Sequence, residues 1–333
     1  MAFNPKFAGA IGVRCDQLSE LETMPEISVV ICTHNRDSYL GSALDSILNQ
    51  EFDDFDIVVI DNASTDRTRE VVESRMPHPR LSYVYEGILG LNVARNRGAE
   101  ETTGSIIAYF DDDALAPPQW LSCLNSAYQT HPKLGVAGGK VTLIWPEGFT
   151  QPNWLSPTLI DALGAYDLGD EIVFIKNAGQ TPRGLNYSIR RSVLEEVGGF
   201  KLNLDRVGKN LLSNGELYMT ELVLRQGWQV AYLPEAIVGH HVSVERTKAG
   251  WYLRRGWWQG ISEYNREQLE GRAGAAQIRR GSENLLRGLY KSMKFFRDPA
   301  QRFENFVYAY GQIGYMGAAI SGMLKSPSTS HQS

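Results

Sequence analysis

The sequence predicts an α/β fold: a parallel sheet covered by helices on both faces, followed by a mainly helical C-terminal extension. Three observations carry that expectation. Short β-branched runs alternate with segments of helical apolar spacing over residues 26–134. Polar clusters follow the strands directly, where open α/β sheets collect their ligands. The composition is that of an ordinary globular chain, 43% hydrophobic and 21% charged over 333 residues.

Residues 1–25 are mixed in character and predict a loose arm. The run ISVVIC at 27–32 is a buried parallel strand, and Leu40, Ala43, Leu44 and Ile47 place a helix over 39–48. IVVI at 57–60 is a second strand, and Ser64 or Thr65 is expected to cap a helix over 67–74. Residues 81–85 give a third strand, 90–101 a glycine-opened helix, and 106–110 a fourth strand ending in three aspartates. Beyond residue 135 the rhythm changes. Strands are expected at 136–143, 172–175 and 229–233, with helices over Arg191–Val197 and 216–226. After His241 the chain turns aromatic and basic, and its last stretch is helical and amphipathic. These boundaries divide the chain into an arm (1–25), an α/β body with two halves (26–134 and 135–245), and the extension (246–333).

Charge and cysteine content narrow the class. Thirty-three Lys and Arg against 38 Asp and Glu give −5, which argues against a nucleic-acid partner. Cys15, Cys32 and Cys123 are too few and scattered for a disulfide framework, so a cytoplasmic setting is expected. No signal-peptide pattern opens the chain, and no apolar run approaches the roughly 20 residues that span a bilayer.

The polar clusters carry the chemistry. Asp111, Asp112 and Asp113 repel one another; they form either a solvated acidic turn or a site for a hard divalent cation, and their place at a strand's carboxyl end favours the second. Asp61 is either a ligand to a ribose or base, or a turn residue. Thr33, Asn35 and Arg36 leave the same two readings, and Arg95 either pairs with a phosphate or lies in solvent. There is no G-x-G-x-x-G after the first strand and no phosphate-binding G-x-x-x-x-G-K-[ST], which counts against dehydrogenases and P-loop nucleotidases.

Taken together, VVICTHNR, VVIDNASTD, GLNVARNRGAEETTG and IIAYFDDDALAPPQWL resemble, in order and spacing, the donor-binding half of glycosyltransferase family 2. The resemblance covers residues 26–245 and implies the GT-A fold, a Rossmann-like, mostly parallel sheet with an acceptor-binding half appended. It implies a nucleotide pocket lined by Thr33, Asn35 and Arg36, with Asp61 on the base and Arg95 beside the nucleotide. Asp111 and Asp113 match the family's D-x-D. Asp113 is expected to bind Mn2+ or Mg2+, with Asp111 and Asp112 near the ribose and metal.

The second half is similar too. The run from Arg183 to Ser188 matches an acceptor-side loop and places Asn186 there. Leu212-Ser213-Asn214-Gly215-Glu216 aligns with L-S-G-E-D, whose final acid is the usual base, so Glu216 takes that role by resemblance. Gly215 departs from the pattern, and Glu216 as a mere helix-opening acid is the competing reading. Related enzymes place a histidine near the metal where His240 and His241 stand, and His241 is the expected ligand. The implied activity is inverting transfer from a nucleoside-diphosphate sugar, UDP being the expected carrier, to a saccharide, lipid-linked or other hydroxyl acceptor, in polysaccharide or glycoconjugate synthesis. A nucleotidyltransferase and a non-catalytic sugar-binding protein are the rivals. The aromatic, basic C-terminal region is read first as a cap on the catalytic body. A peripheral contact with the inner face of a membrane is the alternative.

Overall fold

The structure, a computed structural model, describes residues 24–272 and 275–325. One nine-stranded sheet runs through the α/β body in the order β3-β2-β1-β4-β8-β6-β9-β5, with β7 paired to β9. Its strands are β1 (Ile27–Thr33), β2 (Phe55–Asn62), β3 (Leu81–Glu86), β4 (Ile106–Asp111), β5 (Ala114–Leu115), β6 (Leu134–Ile144), β7 (Val173–Phe174), β8 (Asn186–Arg190) and β9 (Gln229–His241). β1, β2, β3 and β4 are mutually parallel, β8 runs against β4 and β6, and β9 returns parallel to β6. The body is therefore a mixed α/β layer structure around a mostly parallel central sheet, as the sequence predicts.

Helices α1 (Asp37–Leu48), α2 (Thr68–Glu73), α3 (Leu91–Glu100), α4 (Trp120–Thr130), α5 (Pro157–Asp161), α6 (Arg191–Val197) and α7 (Gly215–Arg225) flank the sheet or join its strands. α1 buries Leu40, Ala43, Leu44 and Ile47, the i, i+3, i+4, i+7 stripe that its sequence displays. Asp66, not Ser64 or Thr65, opens α2: its Oδ1 accepts from the Thr68 N–H at 3.0 Å. β1, β2 and β4 are buried along almost their whole length, which places their polar carboxyl ends side by side at one edge of the core.

Several elements depart from the sequence expectation. The strand expected over 172–175 shrinks to Val173–Phe174, and the one over 229–233 continues through Pro234 to His241. β8 replaces the expected loop at Asn186. Its polar side chains are buried but bonded: Asn186 accepts from the Trp120 indole at 3.0 Å and donates to the Ala236 carbonyl at 2.7 Å, and Ser188 donates to the Ala137 carbonyl at 2.8 Å. Asn186 thus ties three elements together inside the sheet. Cys32 and Cys123 are free thiols, and Cys15 lies outside the described residues.

The extension forms three long helices, α8 (Ala249–Leu269), α9 (Ala275–Lys294) and α10 (Pro299–Lys325). α8 joins the α/β body through a second apolar cluster, in which Trp251, Tyr252 and Val307 meet Leu155, Leu159, Leu163 and Val242. No helix among the described residues is long and apolar enough to cross a membrane.

Candidate active site

The carboxyl ends of β1, β2 and β4 open into a cleft of about 570 Å³. Thr33, Asn35, Arg36, Asp111, Asp112 and Asp113 all line it. Asn35 takes a left-handed φ of 53°, tolerable for its short polar side chain. Its N–H donates to Ser64 Oγ at 2.9 Å while its Oδ1 accepts from the Thr65 N–H at 2.8 Å, locking the loop after β1 to the loop after β2. Asn62 accepts from the Gly90 N–H at 2.7 Å and so holds the start of α3 against the same edge.

Asp113 is the electrostatic centre of the cleft. Its Oδ1 lies 3.2 Å from His240 Nε2; its Oδ2 lies 3.4 Å from Arg36 and 3.8 Å from Arg246. Burial pushes its carboxyl up, but contact with His240 and the charges of Arg246 and Arg36 hold it far below the usual carboxylate range. Asp112 goes the other way, to about 7, through burial and the neighbouring Asp113, with Arg36 opposing. Burial and Asp113 also raise Asp111. Of the three adjacent acids, Asp113 is the one its surroundings keep ionised.

Glu216 opens α7 on the wall of an adjoining cavity of about 290 Å³. The two cavities share Leu91, Asp111, Arg206, Leu211, Arg246 and Trp251. Arg95 holds Glu216 Oε1 at 2.7 Å and Asp205 Oδ2 at 2.9 Å, all three largely buried. Burial raises the Glu216 carboxyl, but the Arg95 charge and hydrogen bond overcome that and leave it below its ordinary value. Asp205 rises to about 6 through burial and the charge of Glu216, with Arg95 opposing. Gly184 makes room for the pair: a Cβ there would meet Glu216 Oε1 at 2.0 Å and Arg95 at 2.4 Å.

Besides Asn186, which is buried inside the sheet and away from the cavities rather than on the acceptor side, three expected placements change. Arg95 lies under Glu216 rather than along the nucleotide cleft, because α3 turns it toward α7. Asp61 is buried outside the cleft lining, its carboxylate accepting from the Ser64 N–H at 3.0 Å and the Tyr83 hydroxyl at 2.7 Å. His240, not His241, faces Asp113: successive residues of β9 point to opposite sides, and the His241 ring packs against Tyr39 at 5.7 Å. Sequence reasoning also passed over Arg206, Arg246 and Asp205. Arg246 stands five residues after His241, where the chain turns aromatic and basic. Arg206 and Asp205 lie in a loop without periodicity, and no sequence signal marks them.

The glycosyl transferase family 2 model matches residues 28–198, slightly more than half of the chain, and the chain belongs to that family. It is 28% identical over 247 residues to a glucosyl-dolichyl phosphate glucuronosyltransferase of Haloferax volcanii, covering 72% of this chain and 76% of the relative. A validoxylamine A glucosyltransferase of Streptomyces hygroscopicus subsp. limoneus is 39% identical over 134 residues, 39% of this chain and 28% of that protein. Among solved structures, a mannosyltransferase of Pyrobaculum calidifontis in complex with GDP-Man and Mn2+ superposes with a TM-score of 0.55 at 18% identity, covering 93% of this chain and 77% of the other. The fold is that of the GT-A glycosyltransferases, and the protein is a glycosyltransferase.

Proposed function

We propose that the protein is a metal-dependent, inverting glycosyltransferase that moves a sugar from a nucleoside-diphosphate sugar, UDP-linked, to an acceptor hydroxyl in polysaccharide or glycoconjugate synthesis. The observation that carries this reading is the position of Glu216. It is a carboxylate kept ionised by Arg95, in a cavity that shares its wall with the cleft around Asp113. In this arrangement Thr33, Asn35 and Arg36 bind the nucleotide, Arg246 and Arg206 meet its diphosphate, and the sugar lies at the junction of the two cavities. Asp61 contributes indirectly, by fixing the loop that carries Ser64 against Asn35.

Glu216 removes the proton from the acceptor hydroxyl as that oxygen attacks the anomeric carbon, a contribution of about 10²–10⁴-fold. Asp113 and His240 set a carboxylate beside an imidazole, a donor pair that suits Mn2+ and also admits Mg2+. His240 Nδ1 is buried without a hydrogen-bond partner among the described residues. No group of three or more such side chains converges among those residues, so a bound ion would take its other ligands from the diphosphate and water. When bound, the ion supplies Lewis-acid stabilisation of the departing diphosphate. The similarly folded mannosyltransferase is in complex with GDP-Man and Mn2+, which supports a nucleotide sugar and a divalent metal as ligands here.

The acceptor approaches Glu216 through a third cavity of about 890 Å³, which lies between α5 and the three C-terminal helices and shares Asp161, Arg183, Arg255 and Gln259 with the Glu216 cavity. Thermal unfolding with UDP, GDP, dTDP and CMP, each with and without Mn2+, tests the donor assignment. UDP at a hundred times its dissociation constant adds about 2.7 kcal/mol. A stabilisation by UDP that requires Mn2+ is expected; equal response to all four, or to none, contradicts it.

A further inference from the structure

The hairpin of α9 and α10 keeps an apolar face that nothing in the described chain covers. Its two helices meet where Gly281 lies against Met316 and Gly288 against Ala309. Away from that seam, Leu286, Tyr290, Met293 and Phe296 of α9 and its C-terminal turn are 67%, 64%, 74% and 61% exposed. Their spacing gathers them, with the exposed Leu289, into one stripe. On α10, Phe306, Ile313 and Ile320 recur every seventh residue and are exposed as well. Apolar exposure on this scale marks an interaction surface rather than scattered surface residues.

Charge decides what the surface meets. Residues 275–302 hold seven Lys and Arg, among them Arg287, Lys291 and Lys294, against Glu283 and Asp298 alone. A net of +5 is thus concentrated in a chain whose total is −5. A second copy docked by two-fold symmetry would set this cationic segment against itself. An anionic headgroup layer instead neutralises the cations while its acyl boundary takes up the apolar stripe, with Tyr290 and Phe296 suited to that depth. We infer that the α9 face of the C-terminal hairpin docks the protein on an anionic lipid surface. The same hairpin walls the acceptor cavity. Docking would therefore present that cavity to acceptors held at the surface; this last consequence rests on the function proposed above, whereas the docking does not.

Flotation of the full chain with vesicles tests it directly. Binding is expected to phosphatidylcholine vesicles carrying one third phosphatidylglycerol, not to pure phosphatidylcholine, and to weaken as salt rises. The double variant Leu286→Glu/Met293→Glu is expected to lose at least about tenfold of that binding. Because both side chains are exposed, its unfolding midpoint and UDP-with-Mn2+ response should match the wild type. Absence of wild-type flotation with anionic vesicles, or undiminished flotation of the variant, overturns the inference. So does light scattering that finds a wild-type dimer which the variant dissociates without any lipid binding, for the face then belongs to a second copy. None of these outcomes depends on the donor site, so a failure here leaves that assignment standing.

Discussion

Glu216 owes its charge to one neighbour. Arg95 lies 2.7 Å from its carboxylate and 2.9 Å from Asp205, a buried cation shared by two acids. Because the folded Glu216 is held below its ordinary value, the base proposed here would be competent at neutral pH and lost only as pH falls through that lowered value. Arg95→Met removes the compensating charge but leaves burial and Asp205 in place, so the acidic limb of the kcat/KM profile is expected to move to higher pH. The two uncompensated acids should also cost about 3–5 kcal/mol of stability. Arg95→Lys should fall between; a limb that stays put in Arg95→Met would separate Glu216 from the observed ionisation. A second residue-scale test concerns the histidines. His240→Ala is expected to weaken Mn2+ activation by roughly 10–100-fold, while His241→Ala, whose ring packs on Tyr39, should leave it nearly unchanged. Metal titrations of activity for the two variants check this. The sequence could mark the pair but not choose between its members, since only the pairing of β9 settles which ring turns inward.

At the scale of elements, α8 couples the extension to the turn that carries Glu216. Arg255 donates to the Ser213 hydroxyl at 3.2 Å, and Gln259 donates to Asn214 Oδ1 at 3.2 Å, holding the turn that launches α7 and Glu216. α8 is in turn pressed on α10 at Gly260, where a Cβ would meet the Gly311 carbonyl oxygen at 1.9 Å. Gly260→Val is therefore expected to destabilise by about 1–3 kcal/mol and to lower transfer, by forcing the helices apart. Gly317→Ala on α10, whose added methyl meets nothing within 4 Å, should leave transfer unchanged and add up to about 1 kcal/mol through helix propensity. Melting curves and transfer rates of the two variants decide it. β1, β2 and β4 were legible because strands buried on both faces read as unbroken apolar runs. β8 was not, because Asn186, Ser188 and Arg190 carry polar groups that only the surrounding strands and α4 satisfy. The continuation of β9 past Pro234 was hidden for a related reason: the register shift in its pairing with β6 between Gly139 and Val141 accommodates the interruption, and no local signal announces it.

Across the whole molecule, the −5 total hides an uneven distribution. The cleft at the strand ends pairs Asp111–Asp113 with Arg36, Arg206 and Arg246, while residues 275–302 of the C-terminal hairpin carry a net of +5. Family motifs located the cleft because they sit at strand ends, whose place any parallel sheet dictates. The cooperation of Glu216, Arg95 and Asp205 brings together residues far apart in the chain, and it became visible only in the fold. In the proposed mechanism Glu216 is the base of a site whose donor is held elsewhere, around Asp113. Glu216→Gln separates the two roles, with UDP binding in the presence of Mn2+ and sugar transfer measured on the same preparation. Donor binding is expected close to wild type and transfer reduced by about 10²-fold or more. Transfer at the wild-type rate, or loss of donor binding together with transfer, would contradict it.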